Sequence, residues 1–344
     1  MTDEALVLGL DVGGTSTRVL AVTPHGLRRG AGRASGGNPT GLGPERAAAA
    51  LAEAVAQALT GLDPADVRHV VLGLAGGGAL PSGEDMPGGE AFTRVWDQTG
   101  IRCPIEYEPD ALIAFAAGTA AAEGSLLLSG TGAVAIAVKD RTMAARADGH
   151  GWLLGDRGSG FWLGRQAVLA AMAELDGEGP ATVLTDLVIE SLRLRGSSPV
   201  AGPASGADAG ADTPLTAREM VAAVMSEPPT ALARLAPLLT AACEGGDAVA
   251  KAIADRAVEH LAATLTTVRG PDATSPIVLA GSVLTNPTPV AERVRRMLRE
   301  RWPDAEVSRA LDGAAAAAWL ALARIGPMPS PDVRERLFSI PTAS

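Results

Sequence analysis

The chain is poor in cysteine, histidine and lysine, and these shortages exclude several classes of protein. Two cysteines, Cys103 and Cys243, are too few for a disulfide framework or a four-thiolate metal site. The four histidines show no metal-ligand spacing among themselves. No uncharged apolar stretch of about 18 residues occurs, so the sequence predicts no membrane span. The N-terminus lacks a basic, apolar signal pattern, and we expect a cytoplasmic protein.

Aromatic residues are also scarce, at 3% of 344 residues, although hydrophobic residues make up 47%. The cores must therefore be built from alanine, leucine and valine. Charged residues make up 20% and the formal net charge is −10. This balance argues against binding to nucleic-acid phosphates, which requires clustered lysine and arginine. The length is sufficient for two domains of ordinary size.

Strand-like segments joined by glycine turns open both halves of the chain. "ALVLGLD" and "TRVLAVT" flank the first turn, and "GSLLLSGTGAVAIAVK" repeats the order of strand, turn and strand. Helical patterns follow each unit. The sequence therefore predicts an α/β fold of two related lobes facing across a cleft, with a boundary near residues 118–124.

We predict an N-terminal lobe over residues 1–118 and a C-terminal lobe over 119–325. A final helix at 312–325 can pack back on the first lobe, and a tail follows at 326–344. The segment 196–214 is rich in Gly, Ser, Ala and Pro. It is predicted to be a mobile surface loop, because it has too little apolar area to offset its ordering entropy.

The two glycine turns suggest phosphate binding. Glycine lets the backbone approach a ligand closely, and exposed N–H groups beside threonine hydroxyls form a site for phosphate oxygens. A single turn of this kind is equally compatible with a purely structural hairpin. Two such turns, one in each half of the chain, favour a clamp for the phosphates of a nucleotide. Asp11, beside the first turn, offers the carboxylate that Mg²⁺ prefers while keeping much of its water shell. No Walker P-loop string occurs.

Five segments together carry a family resemblance: "LGLDVGGTSTRVLAV", "EPDALIAF", "LLLSGTGAVAIAV", "GHGWLLGDRGSGFWLGRQAV" and "IVLAGSVLTNP". This set resembles the N-acetylglucosamine kinase branch of the sugar kinase/Hsp70/actin superfamily, within the BadF/BadG/BcrA/BcrD-type ATPases. The resemblance runs from about residue 6 to 325, excluding 196–214. It implies a two-lobed actin-like ATPase fold with ribonuclease H-like lobes, and ATP and sugar in the interdomain cleft.

The resemblance also implies roles for particular residues. It assigns ATP binding to nine positions: Gly13, Gly14, Thr15, Thr17, Gly130, Thr131, Gly132, Gly281 and Ser282. It assigns sugar binding to five positions: Asn38, Asp110, His150, Gly151 and Asp156. Asp110 falls on the family's catalytic aspartate, and Asp11 is expected to organise Mg²⁺ through water.

Several of these positions are equally compatible with a purely structural role. Asp110 precedes a helical run and would also serve as an N-cap. Asp156 could simply hold a glycine turn. His150 stands where related kinases often have tryptophan, and is either a site residue or a polar residue in an exposed turn. Arg157 stands where an acid is common. These two departures leave the identity of the acceptor open.

The expected function is an ATP- and Mg²⁺-dependent amino-sugar kinase that phosphorylates N-acetylglucosamine at its 6-hydroxyl. The resemblance further implies a homodimer, with a small sugar as its partner and neither nucleic acid nor membrane. One alternative is a glucosamine, glucose or other hexose kinase. Another is an activator-type ATPase, which would need paired cysteines at a dimer interface; Cys103 and Cys243 lie in different halves. A sugar-responsive regulator or a filament-forming ATPase is a further alternative.

Overall fold

The computed structural model of the chain describes residues 5–75, 89–196 and 217–339. Within these ranges no helix is both long and apolar enough to cross a membrane. Of the loop predicted at 196–214, residues 197–214 lie outside the described ranges.

The described residues contain ten strands: β1 (Leu6–Val12), β2 (Ser16–Val22), β3 (Arg28–Ser35), β4 (Val67–Leu74), β5 (Ile105–Pro109), β6 (Gly124–Ser129), β7 (Ala133–Lys139), β8 (Thr142–Asp148), β9 (Ile277–Ala280) and β10 (Val307–Arg309). They form two five-stranded sheets, ordered β3-β2-β1-β4-β5 and β8-β7-β6-β9-β10. If the strands of each sheet are counted along the chain, both sheets have the same spatial order: third, second, first, fourth and fifth. The predicted relationship between the two halves is visible in this shared strand order.

The same ranges contain thirteen α-helices: α1 (Pro39–Leu42), α2 (Pro44–Ala58), α3 (Gly89–Thr99), α4 (Asp110–Gly118), α5 (Gly160–Leu175), α6 (Leu184–Gly196), α7 (Ala217–Met225), α8 (Ala236–Glu244), α9 (Ala248–Val268), α10 (Ser282–Thr285), α11 (Pro289–Arg301), α12 (Gly313–Ile325) and α13 (Pro331–Phe338). Two 3-10 segments, Pro64–Asp66 and Pro229–Leu235, precede β4 and α8.

The chain divides into two compact units. Unit 1 consists of residues 1–126, 138–143 and 308–344, and unit 2 of residues 127–137 and 144–307. Helix α12 thus belongs to unit 1, although it follows all of unit 2 in the sequence. It packs against β1 and β4 of the first sheet.

The first sheet brings three strand ends to one edge. Strand β1 pairs antiparallel with β2 and parallel with β4, and β4 pairs parallel with β5. The register aligns Val12 with Leu74 and Leu74 with Pro109. Because these parallel strands end at the same level, the residues that follow β1 and β5 lie along the same edge of the sheet.

Strand β1 is buried on both faces, which explains its almost continuous apolar sequence. Leu8 and Leu10 belong to a core with α2 and α3, whereas Val7 belongs to a core with α12. Gly9 faces α12, where a Cβ atom would lie only 2.6 Å from the Cα atom of Ala318. Small residues on both elements therefore allow the helix to approach the strand closely, which suits a chain with few aromatics.

The core of unit 2 is built around α5, α8, α9 and β9. Residues four positions apart on α9 form its buried face there: Ile253, Ala257, Leu261 and Leu265 are fully buried. Val249, four residues before Ile253, is partly buried and packs against the same core. This spacing is typical of an amphipathic helix that faces a core.

Several features differ from the pattern-based expectation. Strand β3, "RRGAGRAS", is an edge strand, and its largely polar sequence hides its pairing with β2. The expected tail contains α13, which packs on α12. The cap prediction for Asp110 is wrong, because Pro109 occupies the N-cap position and Asp110 is the first residue of α4.

A partly buried acid beside α4, Glu108 of β5, predicts a pH-dependent stability. Arg324 of α12 forms two 2.7 Å hydrogen bonds with Glu106, and its Nη2 lies 3.6 Å from Glu108. His69 of β4 approaches Glu106 at 3.5 Å. Burial, and then the charge of Glu106, raise the pKa of Glu108 from 4.5 to about 7, although Arg324 opposes the shift.

Between pH 4.5 and 7 the folded chain retains a proton on Glu108 that the unfolded chain has released. The free energy of unfolding should therefore fall as pH rises through this interval and level off above it. We expect Glu108→Gln to remove this decline and to be more stable than wild type at pH 8, by at most about 3 kcal/mol. Urea unfolding at pH 5 and pH 8 measures the free energy of unfolding. The control is Glu300→Gln, which replaces an exposed acid. Parallel pH profiles in wild type and Glu108→Gln would contradict it.

Candidate functional site

The first glycine turn lies between β1 and β2 and is held by backbone hydrogen bonds. Gly13 N donates to Ser16 O at 2.9 Å, and Gly37 N donates to Gly13 O at 3.0 Å. Gly14 and Thr15 are exposed at the tip. Because Gly37 contacts the turn directly, the structure places the adjacent Asn38 beside it, just before α1.

Thr17 differs from the expectation of an accessible hydroxyl. It is fully buried on β2, and its Oγ1 has no hydrogen-bond partner among the described residues. The exposed threonine of this turn is Thr15. A turn motif alone does not show which threonine faces solvent, because the side chains begin to alternate only when the strand starts.

Asp11 lies on β1 next to the turn. Its Oδ2 accepts a hydrogen bond from Arg18 Nη2 at 2.6 Å across the hairpin. The start of α12 approaches it so closely that a Cβ on Gly313 would lie 2.5 Å from the same oxygen. No group of three or more metal-ligating side chains occurs within the described ranges. A single carboxylate still fits Mg²⁺, which takes most of its ligands from water and phosphate.

Asp110 follows β5 at the same sheet edge as the first turn. Strands β1 and β5 are two positions apart, with β4 between them, so about 10 Å separates their ends. Asp110 Oδ1 accepts a hydrogen bond from Ala111 N at 2.9 Å. The carboxylate therefore lies at the start of α4, on the edge that carries the turn.

The second glycine turn joins β6 and β7 and is anchored by the start of α5. Gly130 N donates to Gly132 O at 2.9 Å, while Gly160 N donates to Gly130 O at 2.7 Å. Phe161 N donates to the carbonyl of Thr131, whose side chain is exposed. Strand, turn and helix start thus form one hydrogen-bonded assembly.

A third turn, after β9, packs on the second one. Gly281 has a φ of 81°, in the left-handed region that favours glycine. A Cβ atom at Gly281 would lie 2.6 Å from Gly130 N. This close contact brings Ser282, exposed at the start of α10, next to the second turn.

A cavity of about 290 Å³ opens beside these turns within unit 2. Its walls come from the second turn, the 3-10 segment before α8, α8 itself, and α10 with the start of α11. Polar groups from Thr131, Thr240, Ser282 and Asn286 line a mostly apolar space, as is typical of small-molecule sites. Cys243 also lines it, and burial raises the pKa of this thiol. Apart from the turn residues, sequence analysis did not identify this lining.

Asp156 lies against the start of β7, where its Oδ1 accepts a hydrogen bond from Ala133 N at 3.1 Å. Burial raises the pKa of Asp156, and the charge of Asp148 adds to the shift. Sequence analysis missed Asp148, which is 9% exposed and accepts hydrogen bonds from Asp156 N (2.7 Å) and Arg157 N (3.1 Å). The signal for Asp148 in the sequence was an aspartate directly before a glycine. Asp148 therefore holds the backbone that presents Asp156.

The segment between these two acids is exposed. His150 is exposed, and Gly151 O accepts a hydrogen bond from Gly155 N at 2.8 Å. Trp152 is 41% exposed and its ring lies 5.9 Å from that of Phe161. An imidazole and an indole thus stand in the same loop as Asp156, available to a ligand.

Each unit therefore combines a glycine turn with a carboxylate. Unit 1 places the first turn, Asp11, Asn38 and Asp110 at or beside one sheet edge. Unit 2 places the second turn beside Gly281, with Asp156 bonded to the residue that follows the turn. Thr17 is an expected residue that is turned inward instead.

The chain is similar in sequence to two sugar kinases. An N-acetyl-D-glucosamine kinase of Dictyostelium discoideum is 27% identical over 198 residues, which are 56% of this chain and 61% of that protein. An N-acetylmuramic acid/N-acetylglucosamine kinase of Clostridium acetobutylicum is 36% identical over 86 residues, 25% of this chain and 28% of that one. The chain thus matches less than two thirds of the length of either relative.

The fold is also similar to a solved structure. A candidate N-acetylglucosamine kinase of Chromobacterium violaceum aligns with a TM-score of 0.68 and 21% identity, over 93% of this chain and all of that one. At this identity the likeness shows the fold alone, an α/β fold of the actin-like ATPase type. The sequence profile of the BadF/BadG/BcrA/BcrD ATPase family matches residues 8–321. The chain therefore belongs to the BadF/BadG/BcrA/BcrD ATPase family.

Proposed function

We propose that this protein is an ATP-dependent amino-sugar kinase. It transfers the γ-phosphoryl group of ATP to the 6-hydroxyl of N-acetylglucosamine, giving N-acetylglucosamine 6-phosphate and ADP. The observation that carries the proposal is the pairing in each unit of a glycine turn, suited to phosphate oxygens, with a nearby carboxylate, suited to a sugar hydroxyl.

ATP binding is proposed for the two turns and the cavity. Backbone N–H groups near Gly13 and Gly14, with the Thr15 hydroxyl, contact phosphate oxygens, and the turn at Thr131 does the same. The base and ribose occupy the cavity of about 290 Å³ next to Ser282. Asp11 would hold Mg²⁺ through water, and the ion would supply charge neutralisation on the phosphates when bound. The buried Thr17 supports the turn from inside.

Asp110 is proposed as the base that accepts the proton of the attacking hydroxyl. Phosphoryl transfer depends mainly on positioning and charge stabilisation, so a weak base suffices if it orients the hydroxyl. Asp156 and Asn38 bind ring hydroxyls, and His150 and Gly151 complete this side of the sugar.

The choice of acceptor is supported by the relatives. Both curated proteins are named for N-acetylglucosamine, and one also for N-acetylmuramic acid. Arg157 and His150 are exposed beside Asp156, where the family usually has an acid and a tryptophan. Glucosamine, glucose and other hexoses are therefore tested as acceptors. We further propose that the protein is cytoplasmic and forms a homodimer. Sedimentation velocity tests the oligomeric state.

The decisive experiment is sugar-dependent ADP release. Purified protein with ATP and Mg²⁺ is assayed with N-acetylglucosamine, N-acetylmuramic acid, glucosamine, glucose or N-acetylmannosamine, and without sugar. We expect release that depends strongly on N-acetylglucosamine, with 6-phosphate as the product by NMR. Release dependent on another sugar would replace the acceptor. Equal release with and without every sugar would overturn the kinase proposal.

Asp148 is predicted to be a positioning residue for Asp156. Asp148→Asn replaces one acceptor oxygen with an NH₂ group that faces a backbone donor, while asparagine tolerates the φ of 60° at this position. We expect kcat/KM for the sugar to fall at least about tenfold through KM, since hydrogen bonds to charged groups contribute about 1.5–3 kcal/mol. KM for ATP should not change.

The matched control is Asp140→Asn. Asp140 is also left-handed, with a φ of 51°, but it is exposed on a turn of unit 1. Initial rates against sugar and ATP should be those of wild type in this variant. An unchanged KM for sugar in Asp148→Asn would show that the Asp148 carboxylate does not position Asp156.

A further inference from the structure

Arg18 of β2 is a charged residue of the first hairpin to which the proposed function gives no role. Its Nη2 donates to Asp11 Oδ2 at 2.6 Å, and the two residues are direct cross-strand partners. Among the ion pairs found in the described ranges, Arg18 occurs with Asp11 alone. The carboxylate proposed to organise Mg²⁺ is therefore already paired with a guanidinium group.

Arg18 lies on the face of the hairpin that leads to the first glycine turn. The register pairs Asp11 with Arg18, and Gly13 N bonds Ser16 O two residues nearer the tip. Because side chains alternate along a strand, Ser16 and Arg18 face the same way, whereas Thr17 points into the core. Two residues of strand span about 7 Å. An arginine side chain directed along the strand therefore reaches a phosphate bound at the turn.

The pair between Arg18 and Asp11 is open to solvent, which makes it exchangeable. The Arg18 side chain is 43% exposed and that of Asp11 is 21% exposed. Ion pairs in contact with water contribute little to stability. Arg18 Nε is buried, but Nη1 has no hydrogen-bond partner in the part of the chain that the structure describes. A contact with a ligand therefore belongs to the terminal nitrogens of the guanidinium.

We propose that Arg18 is a phosphate-binding residue, whose guanidinium exchanges the Asp11 carboxylate for a phosphate oxygen of the nucleotide when Mg²⁺ is present. This inference rests on the proposed function, because it takes the first turn as a phosphate site. Guanidinium groups bind phosphate oxygens through charge-assisted hydrogen bonds. Since a divalent cation and a guanidinium compete for one carboxylate, metal binding at Asp11 and phosphate binding by Arg18 favour each other.

The exchange predicts that nucleotide without Mg²⁺ binds weakly, for two separable reasons. Arg18 remains held by Asp11, and the Asp11 carboxylate also repels the phosphates directly. Asp11→Asn removes both obstacles, but only the first of them depends on Arg18. A double-mutant cycle of Asp11→Asn and Arg18→Met therefore separates the release of Arg18 from the loss of repulsion.

Calorimetric titration with the non-hydrolysable ATP analogue AMP-PNP, in Mg²⁺ or in EDTA, tests the proposal. In Mg²⁺, Arg18→Met should weaken binding at least about tenfold, as expected for a lost hydrogen bond between charged groups. The matched control is Arg29→Met. Arg29 is an exposed arginine of β3, four residues, or about 13 Å, along the strand from the partner of Arg18. This control should bind AMP-PNP as wild type does.

In EDTA the expected effect has the opposite direction. Asp11→Asn should bind AMP-PNP more tightly than wild type, and this gain should be at least about threefold larger with Arg18 present than in the Arg18→Met background. An equal gain in both backgrounds would show that only repulsion was removed, and would overturn the exchange. Wild-type affinity of Arg18→Met in Mg²⁺ would overturn the phosphate role. If Arg18→Met does not fold, Arg18→Gln replaces it with the same expectations.

The titration distinguishes this proposal from the proposed function, because it requires no sugar and no turnover. Nucleotide binding without sugar-dependent ADP release would contradict the kinase proposal alone, and the cycle would still decide the role of Arg18. No binding of AMP-PNP by the wild-type chain would overturn the ATP site and the role of Arg18 together.

Discussion

Replacing Asp110 with asparagine is expected to lower kcat by a factor of at least about 100 while ATP binding survives. A positioned general base contributes about 10²–10⁴ to a rate, and asparagine cannot accept the proton. Its side-chain oxygen can still accept the hydrogen bond from Ala111 N, so α4 should form normally. Sugar-dependent ADP release measures the loss, and calorimetric titration with a non-hydrolysable ATP analogue measures the retained affinity.

The control is Asp63→Asn. Asp63 is exposed in unit 1 and accepts one local backbone hydrogen bond, from Ala65 N at 2.9 Å, much as Asp110 does from Ala111 N. Asp63→Asn should turn over normally. If Asp110→Asn also turned over normally, Asp110 would be no more than a residue that supports the start of α4, and the proposed base would have to be sought elsewhere.

The second large effect is expected at Gly9, where β1 and α12 are in close contact. In Gly9→Ala the new methyl group would lie 2.6 Å from Ala318 Cα and closer still to Ala318 N and Ala314 O. Because these are backbone atoms of a buried helix, α12 as a whole has to move. We expect a loss of about 3 kcal/mol or more in the free energy of unfolding, at the upper end of overpacking effects.

Urea unfolding followed by circular dichroism measures this change. The control is Gly326→Ala, directly after α12, where the backbone is extended and a Cβ would contact nothing within 4 Å. That variant should be unchanged or slightly more stable, because alanine restricts the unfolded chain. If Gly9→Ala unfolded at the wild-type urea concentration, the close approach of α12 to β1 would not be a feature of the protein in solution.

The strand–turn–strand units were predictable because their apolar runs are long and their glycines sit between them. The edge strands β3 and β8 were not predictable. An edge strand has one unpaired backbone edge and commonly carries charged side chains, so the arginines of "RRGAGRAS" and "TMAARAD" resemble those of a loop. Helix α13 was missed for another reason, since its eight residues show too few turns for a clear period.

Residues of the candidate site were predictable where they lie in a short sequence motif. They were not predictable where they meet only in the folded chain. Asp110 and Asp156 stand in recognisable strings, but the role of Asp148 depends on hydrogen bonds to residues eight and nine positions later. The cavity wall from α8 is at least about a hundred residues from the second turn in sequence, so no motif links Thr240 to Thr131. The inward orientation of Thr17 likewise follows from strand alternation.

The shared strand order of the two sheets gives them equivalent positions. In each sheet the fifth strand leads into a helix with an aspartate at its start, Asp110 as the first residue of α4 and Asp312 as the N-cap of α12. Asp312 bonds Ala314 N and Ala315 N and pairs with Arg28, as a structural cap does. The acid after the fifth strand of the second sheet therefore caps a helix, whereas the acid at the equivalent position of the first sheet is the one proposed as the base.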